Sequence, residues 1–105
     1  MDFKVVLRPQ AEEDLVALYE YIAKDSPQRA IDYVHRLRLR CEALAYFPQR
    51  GRARDDLLPG ARMLVFERGA VIIYRVEGDL VRVLKIFYRG RNYEAVLRSR
   101  ALDEE

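Results

Sequence analysis

The chain has 105 residues, enough for one domain and no second one. Half of it is apolar or aromatic and 34% is charged, a globular balance. One cysteine, Cys41, and one histidine, His35, exclude a disulfide framework and leave no ligand set at metal spacing; no run approaches the ~20 apolar residues of a membrane span.

The opening lacks a charged-then-apolar signal segment, so a cytoplasmic protein without cofactor or metal is expected. The net charge is only +2, yet 16 of the 19 basic residues are arginine. Residues 1–60 carry ten cations and ten anions, so the excess lies in residues 61–105.

Residues 2–7 (DFKVVL) read as a strand, rich in β-branched and aromatic residues. Pro9 suits the first turn of a helix, and Glu12, Glu13 and Asp14 complement its dipole. Ala11, Leu15, Leu18 and Ile22 recur at four, three and four residues, which predicts an amphipathic helix over about 9–24. Ser26 caps the next helix and Pro27 opens it. Its seam is Ala30, Val34, Leu37, Cys41 and Leu44, fading before Pro48. Two such helices on a short link predict an antiparallel αα-hairpin.

Residues 48–61 (PQRGRARDDLLPGA) read as a long loop. Residues 62–66, 70–76 and 80–87 follow as three strands separated at hairpin length, a meander. Asn92 is placed to cap a short C-terminal helix. The expectation is an α+β domain over residues 1–105. Its N-terminal strand joins the edge of a small antiparallel sheet on which the helical hairpin packs, in the order β-α-α-β-β-β.

His35 has no catalytic partner and reads as a helix-surface residue; Cys41 reads as a small core hydrophobe. Arg36 and Arg40 share a helix face, while Arg38 points about 200° away from each. Arg50, Arg52 and Arg54 alternate in the loop and form a weak candidate surface.

Residues 82–91 carry four cations, Arg82, Lys85, Arg89 and Arg91, and no acid. Tyr88 and Tyr93 interleave with them, and Tyr74 and Arg75 stand on the preceding strand. Strict alternation places Arg82, Leu84, Ile86 and Tyr88 on one face and Val81, Val83, Lys85, Phe87 and Arg89 on the other. Arginine forks among aromatic rings match phosphates with exposed bases, and equally an acidic protein surface.

Three stretches carry a family likeness: VVLRPQAEEDLVALYEYIA, SPQRAIDYVHRLRLRCEALAYFPQRGRARDD and VIIYRVEGDLVRVLKIFYRGRNYEAVL. In order and spacing they resemble the RelE/ParE superfamily of type II toxin–antitoxin toxins, closest to the ParE branch. The resemblance implies a cognate antitoxin with a DNA-binding N-terminus and an acidic, apolar C-terminal segment, in a hetero-oligomer. It implies DNA gyrase as target, with the ribosome and its mRNA as the alternative of RelE type. Similar ParE-like sequences often have His where this chain has Tyr88 and Asp where it has Asn92.

The expected target-binding residues are Arg75, Arg82, Lys85, Tyr88, Arg89 and Arg91. If the chain cuts RNA, Lys85, Tyr88, Arg89 and Arg91 are the catalytic candidates. The antitoxin is expected along the helical hairpin and a sheet edge, on apolar residues outside the core seam such as Val16, Tyr19 and Ala23.

Overall fold

The structure, a computed structural model, describes residues 3–67 and 69–88. Strand β1 (Lys4–Leu7) leads into helix α1 (Pro9–Ala23), with Pro9 in its first turn. Helix α2 (Pro27–Glu42) starts at Ser26, whose hydroxyl accepts a hydrogen bond from the Arg29 N–H at 3.2 Å. A 3-10 turn (Ala43–Ala45) ends the hairpin. The sheet continues with β2 (Arg52–Ala53), β3 (Ala61–Phe66), β4 (Ala70–Glu77) and β5 (Leu80–Tyr88).

The strand order is β1-β5-β4-β3-β2. β1 takes the expected edge position but runs parallel to β5, so the sheet is mixed. Parallel neighbours need a long connection, and here the helical hairpin and the intervening strands supply it. The β4–β5 turn needs a positive φ at its first residue, and Gly78 supplies it at 63°.

The helical seams pack on one sheet face. Leu15, Leu18, Leu37, Cys41 and Leu44 meet Phe66, Ile72, Tyr74, Val81, Val83 and Ile86. Burial pushes the Cys41 thiol up to about 12, so it is protonated at neutral pH. A thiol reagent is therefore expected to label Cys41 only as fast as the fold opens, with full reactivity in denaturant; fast native labelling would place it outside the core.

The other face is not bare. Leu57 and Leu58, in the stretch expected as loop, are buried against Ile73, Leu84 and Phe87. Residues 48–61 thus hold a short edge strand and the cover of a second small core.

The strict alternation expected along β5 fails at one place. Ile73 stands opposite Lys85, but Tyr74 stands opposite Val83, so Leu84 is an extra residue in a β-bulge. Val81, Val83, Ile86 and Tyr88 consequently lie on the helix side, while Leu84 and Phe87 pack on the opposite face. The pairing of Arg82 with Tyr88 on one face is thereby corrected: the bulge puts them on opposite faces. The expected C-terminal helix, Arg89, Arg91 and Asn92 lie outside the described residues.

Candidate functional site

Arg75 and Arg82 are register partners on β4 and β5, on the face away from the helices. Glu77 lies two residues beyond Arg75 and therefore on the same face. Its carboxylate accepts from Arg75 Nε at 3.0 Å and from Arg82 Nε at 3.1 Å. Arg75 also donates to the Pro59 carbonyl at 3.4 Å. One carboxylate thus holds two guanidinium groups side by side, leaving a net positive, partly exposed patch. Sequence reasoning missed Glu77. The signal was available: a two-residue turn sets Glu77 opposite Leu80 and hence Arg75 opposite Arg82.

The hydrogen bond from Arg82, then that from Arg75, holds the Glu77 carboxyl below the ordinary carboxylate range. A depressed carboxylate contributes stability above its unfolded pKa and loses it as pH falls through the folded one. The gap in urea midpoint between the wild type and Glu77→Gln is expected to narrow as the pH is taken into acid. A gap that stays constant would show that the clamp adds nothing through its charge.

Lys85 belongs elsewhere. Its Nζ lies 2.8 Å from Asp14 Oδ1 on α1, with both side chains largely buried. Asp14 Oδ2 accepts the Ile86 N–H at 2.8 Å. Tyr88 lies on the helix side, edge-on to Tyr21 at 5.9 Å and to Tyr33 at 5.6 Å. It lines a cavity of about 490 Å³ together with Ile22, Arg29, Tyr33, Arg36 and Gly69. Tyr74, grouped by sequence with the surface aromatics, is fully buried; its hydroxyl accepts the Gly51 N–H at 2.7 Å. Among the described candidates the fold therefore brings together Arg75 and Arg82 and separates Lys85 and Tyr88 from them.

The helical hairpin has its own outward surface. Val16 is 58% exposed, and Tyr19 and Ala23 are half-buried. Ile31 and Leu39 on α2 are also exposed. Arg38 clamps Glu12 across the hairpin through two bonds of 3.3 and 2.9 Å. Arg36 clamps Glu67, in the β3–β4 turn, through bonds of 3.0 and 2.9 Å. Glu67 sits at a φ of 46°, left-handed backbone unusual for a glutamate, and this pair ties the turn to α2. Among the described residues, no group of three acidic, His or Cys side chains could hold a metal. No helix among them is long and apolar enough to cross a membrane.

A family profile described as the ParE toxin of the type II toxin–antitoxin system parDE matches residues 5–93. The chain belongs to the ParE toxin family. As a ParE-family toxin of a type II system, it is 35% identical over 88 residues to Toxin RelE2 of Caulobacter vibrioides. That match covers 84% of this chain and 97% of that protein. Among solved structures, this ParE-family chain is similar to the chromosomal ParDE toxin–antitoxin system from P. aeruginosa. The TM-score is 0.72 at 26% identity, over 82% of this chain and 95% of that one. The RelBE2 toxin–antitoxin complex from Mycobacterium tuberculosis shares the fold, with a TM-score of 0.56 at 19% identity over 85% and 100% of the two chains.

Proposed function

We propose that this ParE-family toxin arrests growth by binding DNA gyrase, and that a cognate antitoxin neutralises it by covering the helical hairpin. The observation that carries the binding reading is the Arg75–Glu77–Arg82 clamp on the sheet face away from α1 and α2. Paired guanidinium groups suit carboxylates on an acidic protein surface. The proposed target surface comprises Arg75 and Arg82; Arg89 and Arg91 belong to the same basic run in the sequence, and Lys85 and Tyr88 act by shaping the strand end behind it.

RNA cleavage would ask Lys85 or Tyr88 to move a proton at a phosphate held by arginine. The separation of those two side chains from the Arg75–Arg82 patch, and the capture of Lys85 by Asp14, favour binding over cleavage. The antitoxin reading draws on the ParDE and RelBE2 assemblies named above and on exposed Val16 with half-buried Tyr19 and Ala23. An acidic, apolar segment fits that surface.

A supercoiling assay with purified gyrase tests the target. The wild-type toxin is expected to inhibit, and Arg75→Glu with Arg82→Glu to weaken inhibition at least about tenfold with antitoxin binding retained. Normal supercoiling at a large toxin excess, with no trapped cleavage complex, would rule gyrase out. Codon-phased mRNA cuts that disappear in Tyr88→Phe would establish the ribonuclease reading instead.

A further inference from the structure

A second surface combines exposed cations with exposed aromatic rings, at the end of the helical hairpin. Tyr46 and Phe47 are each 66% exposed at the end of the helical hairpin. Arg50 and Arg52 follow, also exposed. Among the described residues neither of these guanidinium groups meets an acid, whereas Arg36, Arg38, Arg54, Arg75 and Arg82 each do. Phe3, Phe47, Pro48 and Arg50 help to line a concavity of about 670 Å³ at this place.

The backbone beneath these side chains is held from inside the protein. The Gly51 N–H donates to the buried Tyr74 hydroxyl at 2.7 Å. Arg62 Nη1 donates to the carbonyls of Gly51 at 2.7 Å and Gln49 at 3.3 Å. The Arg50 N–H donates to the Phe47 carbonyl at 3.0 Å. Four outward side chains therefore stand on an ordered base, and ordering need not be supplied when a partner arrives.

We propose that residues 46–52 form a second recognition surface of the toxin, which docks an acidic segment of its protein target carrying an apolar anchor. The inference rests on the toxin reading above but not on the identity of the target. Charge complementarity selects the occupant. Arg50 and Arg52 present forks that match carboxylates, and no acid of the described chain neutralises them. The concavity between Phe3 and Phe47 takes the anchor side chain, and the flanking aromatic rings shield the ion pairs from water.

The test uses the full chain, produced with its antitoxin and then freed of it. Arg50→Glu with Arg52→Glu is one variant and Phe47→Ser is a second, milder one. Both are expected to keep the melting temperature and antitoxin affinity of the wild type. Both are expected to raise the inducer level needed for growth arrest by at least about tenfold. A labelled hexapeptide with leucine and phenylalanine between acidic residues serves as probe. It is expected to shift the amide resonances of residues 46–52 in the wild type, and to do so neither in the charge-reversed variant nor with its lysine counterpart.

Arrest at wild-type inducer levels in both variants would overturn the proposal. So would a selective loss of antitoxin affinity, or an oligothymidylate that outcompetes the peptide at this surface, which would make it a nucleic-acid site. The two readings separate cleanly. Variants that lose growth arrest although the wild type leaves supercoiling untouched sink the gyrase target and support this surface. Variants that inhibit gyrase and arrest growth as well as the wild type sink this surface and leave the gyrase target standing.

Discussion

Replacing Asp14 by alanine is expected to destabilise the fold by about 2–4 kcal/mol, measured by urea denaturation at neutral pH. The reason is the reach of β1. Its pairing with β5 ends at Leu7 opposite Val83, so among the described residues β5 runs on with no strand beside it. The Asp14 carboxylate stands in for the missing strand by accepting the Ile86 N–H. Its other oxygen pairs with the Lys85 ammonium beside the bulge. Alanine would orphan a backbone donor and a partly buried cation together. Asp14→Asn keeps an oxygen for Ile86 and loses the charge, so it is expected to cost about half as much. Equal losses in the two variants would assign the effect to the ion pair alone. A loss below about 0.5 kcal/mol in the alanine variant would show that water replaces both contacts.

Gly51→Ala is expected to cost a similar amount, about 2–4 kcal/mol, and to lower the melting temperature. A Cβ at this position would stand 2.7 Å from the Tyr74 hydroxyl oxygen and 2.9 Å from the Met63 carbonyl oxygen. The first contact is the bond that holds the loop; the second is sheet backbone and cannot swing aside. The glycine is required for space rather than for a left-handed φ. Removing the hydroxyl in Tyr74→Phe relieves the clash at 2.7 Å but leaves the ring Cε1 and the Met63 carbonyl oxygen, each at 2.9 Å. The double variant should therefore lose less than the sum of the single ones. Strict additivity would mean that the Met63 carbonyl and the Tyr74 ring, not the hydroxyl, set the cost. The same substitution is expected to disorder residues 46–52, so it also probes how far their side chains depend on that base.

The two helices were legible because their apolar periods need no information beyond the chain itself. Ala11, Leu15 and Leu18 on one helix, and Ala30, Leu37 and Cys41 on the other, are buried as their spacing requires. Ser26 and Pro27 mark a helix start by local chemistry, and the cap forms as expected. The meander was legible for the same reason, since its turns are short and Gly78 provides one of them. Leu57 and Leu58 were not legible. An apolar pair in a stretch rich in proline and glycine shows no period, and only the sheet face above it makes burial worthwhile.

The basic run in residues 82–91 divides the same way. That this end of the chain carries cations among aromatics is a property of composition and order, and the sequence alone determined it, together with the helical hairpin and the family likeness. Which of those cations are free to meet a partner was a tertiary matter. One extra residue, Leu84, breaks the two-residue alternation and sends Tyr88 to the face opposite Arg82. A bulge is set by how β5 registers against β4, not by β5 itself. An aspartate 71 residues away in the chain takes Lys85. Glu77, at the end of β4, takes Arg75 and Arg82, whereas Arg50 and Arg52 meet no acid among the described residues. Charge is written residue by residue, but whether it is neutralised depends on which carboxylate the fold brings within about 3 Å, and that is decided only when the elements pack.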